Sequence, residues 1–124
     1  MRLPPDPIDQ SSYRYNLEYR ASVRAEMLRL TEQLLSGELS VVAAARALKP
    51  FRNAVEPELS EILDVFVAID SETDSLPLGE VRQHWNPGSL EREDMKVAVA
   101  ERIWRERAMD AGTRLVRQLE GSLD

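Results

Sequence analysis

The sequence predicts an all-α fold, a compact bundle of three to four main helices with a long C-terminal helix. Apolar residues recur at steps of three and four over the C-terminal third of the chain, as on one face of a helix. No stretch alternates apolar and polar residues with the period of a strand, and none carries a hairpin signal. With 124 residues, the chain has the usual length of one domain and can bury a core without a disulfide or metal.

Three prolines close to the amino terminus divide the chain into two parts. Pro4, Pro5 and Pro7 fix backbone angles and remove three amide donors. We therefore expect residues 1–10 to form a flexible arm and residues 11–124 to form a single helical domain.

The first helix is predicted to run from a cap at Ser11 or Ser12 to about Leu35. Glycine can adopt the left-handed conformation that closes a helix, so Ser36-Gly37 marks its end. Its apolar stripe has a centre and two edges. The centre consists of Val23, Met27, Leu30 and Leu34, and the edges consist of Leu17, Ala21, Leu28 and Leu35.

Two further helices follow, each with a recognisable start. Ser40 caps a short helix over Val41–Leu48, which ends because Pro50 disfavours helical geometry at the residue before it. Pro57 suits the first turn of the next helix, where neighbouring glutamates complement the helix dipole. That helix contains β-branched residues near its end, and the sequence leaves open whether residues 65–70 are helix or strand.

The long C-terminal helix is predicted to start at a cap on Asn86 or Ser89. Val99, Ile103 and Val116 flank its main apolar row, which indicates a homodimer unless the same chain covers them. The row itself consists of Val97, Ala100, Trp104, Ala108, Ala111, Leu115 and Leu119.

Composition excludes several classes of function. Cysteine is absent, so the chain has no disulfide framework, no thiolate nucleophile and no cysteine-containing zinc site. No apolar run approaches the ~20 residues of a membrane span, and residues 1–10 contain no apolar segment of signal type. We therefore expect a soluble cytoplasmic protein that does not bind membranes.

Charge is unevenly distributed along the chain. The net charge is −6, and residues 53–81 carry eight acidic and no basic side chains. Such a block repels phosphate backbones and favours a basic protein partner or a cation.

The segment after this acidic helix contains a partial calcium-loop pattern. Asp70, Glu72 and Asp74 match the first, third and fifth positions of such a loop. Ser75 stands where glycine is needed, and Val81 where a bidentate glutamate is needed. We therefore assign no metal and no cofactor, although a metal- or small-molecule-binding protein or enzyme at the 70–84 loop stays an alternative.

Arg82, His84 and Trp85 form a compact group next to these acids, and their residue types suit interface hot spots. The alternative interpretation is structural: Trp85 packs under the long helix, and Arg82 pairs with a nearby acid. His84 is the only histidine and no G-x-S-x-G motif accompanies it, so no catalytic residue is predicted. The candidate partner-binding residues are Asp70, Glu72, Asp74, Arg82, His84 and Trp85.

Residues 36–52 combine a glycine turn, a serine cap and a second helix, as a helix-turn-helix does. The exposed start of a recognition helix should carry polar or basic side chains, but Val41 and Val42 occupy it here. A DNA-binding helix-turn-helix at residues 36–52 therefore stays an alternative, but we do not expect nucleic acid to be the partner.

The segment DSETDSLPLGEVRQHW, together with the upstream LLSGELSVVAAARAL and FVAID, resembles a family of small bacterial proteins of unknown function. The family is a domain of unknown function with a DSETDxLPxG segment, and the resemblance spans about residues 25–120. It implies a compact helical domain in a bacterial cytoplasmic protein, and it implies no activity.

These observations together favour a non-enzymatic protein-interaction module that uses an acidic face. An inhibitor or immunity-type protein is one concrete form, because an acidic surface speeds encounter with a basic partner.

Overall fold

The computed structural model describes residues 17–76 and 86–121, and within these ranges it contains four α-helices and no strand. The helices are α1 (Leu17–Ser36), α2 (Val41–Leu48), α3 (Pro57–Thr73) and α4 (Pro87–Gly121), and a 3-10 turn, Lys49–Phe51, follows α2. The predicted all-α bundle with a long C-terminal helix is thereby confirmed. The predicted arm at residues 1–10 and the caps at Ser11 and Ser12 lie outside the described residues.

Local capping explains where the helices begin. The Ser40 hydroxyl accepts a hydrogen bond from the Ala43 amide at 3.1 Å, so α2 starts where the sequence predicts. The Asn86 side chain accepts from the Ser89 amide at 2.8 Å, which makes Asn86 the cap of α4. α1 ends at Ser36, and the Gly37 that follows has a φ of 86°, a left-handed conformation that favours glycine.

Residues 65–70 are helical, which settles the choice between helix and strand. Phe66 and Ile69 continue the helical spacing of Leu59, Ile62 and Leu63, and all of them are buried. This continuous apolar face keeps the segment within α3 because it packs against the other helices along its whole length.

One core is shared by all four helices. α1 and α3 each pack against both α2 and α4. The fully buried side chains with the largest volumes include Phe66, Met27, Leu34, Leu48, Leu59, Leu63, Ile69 and Leu115. At the predicted edges of the α1 stripe, Leu17 is 78% exposed and Leu35 is 36% exposed, so the buried stripe is narrower than the sequence suggested.

α3 and α4 run antiparallel. Glu72 near the end of α3 contacts Trp104, whereas Glu58 and Glu61 near its start share a shallow hollow with Arg114 and Arg117. All buried residues of α4 lie between Trp104 and Leu119. None of residues 87–103 is buried, and this half of the helix is about 25 Å long.

None of the helices within residues 17–76 and 86–121 combines the length and hydropathy that a membrane span requires.

Candidate functional site

The structure describes three of the six residues predicted to bind a partner. Asp70, Glu72 and Asp74 lie at the carboxyl end of α3, within and just after its last turn. Arg82, His84 and Trp85 lie outside the described residues. The geometry of the site is therefore that of the three acids and their neighbours.

Asp70 is engaged inside the protein. The residue is 7% exposed, and its Oδ2 lies 3.1 Å from Nζ of Lys49. Its Oδ1 lies 3.6 Å from Nε of Arg46. Both cations come from the end of α2 and the turn after it, so this carboxylate links α3 to α2 and presents little surface to a partner.

Arg46 also closes the carboxyl end of α3. Its Nη2 donates hydrogen bonds to the backbone oxygen of Thr73 and, at 2.8 Å, to that of Leu76. The last carbonyls of a helix have no partner inside the helix and carry partial negative charge, so a guanidinium stabilises them. This role of Arg46 was not predicted from the sequence, because Thr73 and Leu76 lie on a different element.

Glu72 connects the same region to α4. Its Oε2 accepts a hydrogen bond from Nε1 of Trp104 at 3.1 Å. The guanidinium carbon of Arg107 lies 5.1 Å from the centre of the Trp104 ring, within the range of a cation–π interaction. The carboxylate satisfies the polar end of an indole that is otherwise buried in the core.

Asp74 differs from the other two acids because it faces solvent. It follows α3 directly, it is exposed, and the described part of the chain provides no ion pair for it. Of the three predicted acids that are described, Asp74 and the exposed Glu72 are accessible to a partner.

The exposed charges of α3 and of the turn after it all have the same sign. The charged residues classed as exposed there are Glu58, Glu61, Asp64, Glu72 and Asp74. We call these five residues the acidic face, of which Glu58, Glu61 and Glu72 lie within about 60° of one another around the helix, Asp64 lies about 60° further round, and Asp74 follows the helix. Asp64 is paired with Arg52, whose Nε lies 2.7 Å from its Oδ1, and this hydrogen bond raises the pKa of Arg52.

The three predicted acids do not converge on one point. Asp70 contacts Arg46 and Lys49, whereas Glu72 contacts Trp104 on a different helix. Across residues 17–76 and 86–121, no group of three or more histidine, cysteine or acidic side chains is arranged to hold a metal ion. The partial calcium-loop pattern instead continues the helix through Thr73.

The contacts of α2 give no support to the helix-turn-helix alternative. Val41 and Val42 at its start are buried, and their amides donate to the carboxylate of Glu101 from α4. An acidic side chain therefore occupies the end of α2 that a DNA phosphate would approach. Arg46 and Lys49 are paired with Asp70.

A groove lies between the start of α1 and the region before and within α3. It has a volume of about 580 Å³ and its lining includes Arg20, Arg52, Glu56 and Asp64. Arg20 Nη2 lies 2.9 Å from Oε1 of Glu56. Because these cations are paired with acids of the same chain, the groove has mixed charge and no evident preference for an anion or a cation.

α4 carries an exposed apolar row in its amino-terminal half. Met95, Val99 and Ile103 follow one another at intervals of four residues and are 68%, 50% and 66% exposed. We call these three residues the apolar stripe. Val99 and Ile103 were predicted as flanks of the main row, whereas Met95 was missed because it lies one turn before the first predicted flank.

Comparisons of the chain with protein-family models, with curated proteins and with solved structures found no match.

Proposed function

We propose that the protein is a non-enzymatic interaction module that binds a basic segment of another protein through the acidic face of α3. The single observation that carries this proposal is that every exposed charge on α3 and its following turn is negative. A one-signed surface attracts an oppositely charged partner from a distance and orients the encounter.

Within residues 17–76 and 86–121, the basic residues near the acidic face form an ion pair with only one of its members, Asp64, although Arg114 and Arg117 line a shallow hollow together with Glu58 and Glu61. Arg46 and Lys49 are paired with Asp70, which is buried and lies outside the acidic face. Arg52 is paired with Asp64 at one side of the face. Glu72 retains one carboxylate oxygen for a partner while the other accepts from Trp104.

The acidic face also has the dimensions of a short linear segment. Glu58 and Glu72 are fourteen residues apart on one helix, which corresponds to about 21 Å. A basic strand or helix of a partner could contact several carboxylates along that length. An inhibitor or immunity-type protein that covers a basic site is one form of such a module.

The test compares two variants with the same net charge. The first neutralises four residues of the acidic face, through Glu58→Gln, Glu61→Gln, Glu72→Gln and Asp74→Asn. The matched control neutralises four exposed acids elsewhere, through Glu32→Gln, Glu38→Gln, Asp110→Asn and Glu120→Gln. The probe is a fluorescent arginine-rich peptide, and its anisotropy is measured at low and at physiological ionic strength.

We expect the first variant to weaken binding at least about tenfold and the control to weaken it much less, with all affinities falling as salt screens the charges. Equal weakening by both variants would mean that only net charge matters, and the acidic face would then not be a binding site. Absence of binding by the unmodified protein at low salt would also overturn the proposal.

A further inference from the structure

The apolar stripe is a surface that the described part of the chain does not cover. Met95, Val99 and Ile103 are each at least half exposed, and they lie on the half of α4 that has no buried residue. Single exposed apolar residues are common on proteins, whereas contiguous exposed apolar patches mark contacts with other molecules when they are large enough. The identity of that molecule follows from the charges at the two ends of the row.

Helical geometry places two opposite charges at these ends. With 100° between successive residues, Met95 and Ile103 lie about 40° to either side of Val99 around the helix. Arg92 and Glu106 lie about 20° to either side of Val99, one turn beyond each end of the apolar stripe. Along the helix, this face therefore consists of Arg92, Met95, Val99, Ile103 and Glu106 in that order, with a cation at one end and an anion at the other.

We infer that this face pairs with a second copy of the chain in an antiparallel α4–α4 homodimer centred on Val99. A two-fold axis at Val99 sets Met95 of one copy against Ile103 of the other, and it sets Arg92 against Glu106 twice. A parallel pair would instead set Arg92 against Arg92 and Glu106 against Glu106. Charge complementarity therefore selects the antiparallel arrangement.

The edges of the face fit the same arrangement. Lys96 and Arg102 lie about 60° from Val99 on opposite sides of the helix. In the antiparallel pair, Lys96 lies beside the partner copy's Ile103, and Arg102 lies beside the partner copy's Met95. Their alkyl chains then cover the apolar contact while their charged ends stay in solvent, as long basic side chains commonly do.

The contact is short, so the dimer is expected to be concentration-dependent. The distance along α4 from Arg92 to Glu106 is about 21 Å, and one helix pair of that length lies at the small end of specific interfaces. The apolar stripe shares no residue with the acidic face, so the dimer and the proposed function can be tested separately.

The first experiment measures the mass of the full chain by light scattering over a series of concentrations. We expect the mass to rise from the 14.1 kDa of the monomer towards twice that value as concentration increases. Val99→Glu sets two carboxylates against each other and is expected to abolish the rise. Leu17→Glu introduces the same charge at an exposed apolar residue of α1 and is the matched control, which should leave the rise unchanged.

The second experiment tests the orientation. Arg92→Glu and Glu106→Arg each place like charges across the antiparallel contact, so each variant alone should be more monomeric than the unmodified protein. In an equimolar mixture of the two variants, the carboxylate introduced at position 92 faces the guanidinium introduced at position 106 of the other variant. The unchanged Glu106 of the Arg92→Glu variant faces the unchanged Arg92 of the Glu106→Arg variant. The mixture should therefore form heterodimers. Both variants change exposed residues, and circular dichroism verifies that each is folded.

Because the chain has no cysteine, a third experiment can report directly whether the two copies meet at residue 99. Val99→Cys places the two thiols opposite each other at the two-fold axis and should form a disulfide-linked dimer under mild oxidation. A monomer at all concentrations, a dimer that Val99→Glu leaves intact, or a mixture that does not recover dimers would each overturn the inference.

Discussion

The carboxylate of Glu101 lies 2.8 Å from the amide nitrogen of Val41, sixty residues earlier in the sequence. Its second oxygen accepts from the amide of Val42 at 2.7 Å, and the Ser40 hydroxyl accepts from Ala43. The first amides of a helix have no acceptor inside the helix, and these contacts satisfy three of them. One side chain of α4 thus completes the start of α2.

Glu101→Gln should reduce the free energy of unfolding by about 1–3 kcal/mol, because the amide keeps one acceptor oxygen and turns a donor towards the second backbone amide. Urea denaturation followed by circular dichroism measures the change. Glu91→Gln on an exposed turn of the same helix is the control, and we expect it to alter stability by less than about 0.5 kcal/mol. Equal effects of the two substitutions would show that the contact with α2 contributes nothing.

Arg46 should contribute more to stability than Lys49, although both are paired with Asp70. Arg46 also binds the last carbonyls of α3, and its side chain is 27% exposed, whereas that of Lys49 is 52% exposed. We expect Arg46→Met to cost about 1–3 kcal/mol and Lys49→Met less than about 1 kcal/mol in denaturant unfolding.

A double-mutant cycle separates the two roles of Arg46. Asp70→Asn alone removes the ion pair but leaves the hydrogen bonds from Arg46 to the backbone of α3 and the turn after it. The cost of Arg46→Met in unfolding free energy should therefore be smaller in the Asp70→Asn background, by about 0.5 kcal/mol or more, without falling to zero. If the two substitutions were additive, Arg46 and Asp70 would not interact energetically.

Glu26 should make stability depend on acid pH. The hydrogen bond from Arg29 holds the pKa of Glu26 below its ordinary value of 4.5, an effect that partial burial opposes. Because the folded-state pKa is the lower one, the resulting stabilisation is present above pH 4.5 and is lost as the pH falls through the folded-state pKa.

The Glu26–Arg29 pair is exposed, with 44% and 55% of the two side chains accessible, so solvent screens it and its contribution to stability should be small. Thermal unfolding of Glu26→Gln and of the unmodified protein should differ at neutral pH and converge once the pH has fallen below the lowered folded-state pKa of Glu26. A difference that is constant with pH would contradict this assignment.

Gly112 should tolerate alanine but no larger side chain. A Cβ added there would lie 3.1 Å from Cδ2 of Leu35 and 3.4 Å from Cδ2 of Leu34. Leu35 is partly exposed and its end can move, whereas alanine within a helix is favoured over glycine by up to about 1 kcal/mol.

We therefore expect Gly112→Ala to raise stability by a few tenths of a kcal/mol up to about 1 kcal/mol, and Gly112→Leu to lower it by about 1–3 kcal/mol. Differential scanning calorimetry of the two variants checks the opposite signs. A loss of stability with alanine would mean that the contact between α1 and α4 cannot adjust.

Features set by neighbouring residues could be predicted from the sequence. Ser40 and Pro50 determine the two ends of α2 locally, and Pro57 starts α3 where its fixed φ is compatible with a first turn. The all-α class followed from the same kind of local pattern.

Contacts between distant segments could not be predicted. Glu101 looks like any other charge on a long helix, and only the packing of α4 against α2 brings it to Val41. Asp70 attracted attention as one of a series of acids, although its partners Arg46 and Lys49 lie on another element. Spacing identified Val99, Ile103 and Val116 as residues that flank the apolar row of α4, but it gave no information on which of them the rest of the chain covers.

The uneven burial of α4 has a consequence for how the helix opens. Amide hydrogens in the Trp104–Leu119 half lie over the core and should exchange with deuterium only when the whole domain unfolds. Those of the turns between the Asn86 cap and Val99, before Glu101 contacts α2, have no buried side chain to hold them, so in the monomer they should exchange by local fraying. A single continuous helix would then contain a stable segment and a segment that unwinds and re-forms while the bundle stays intact.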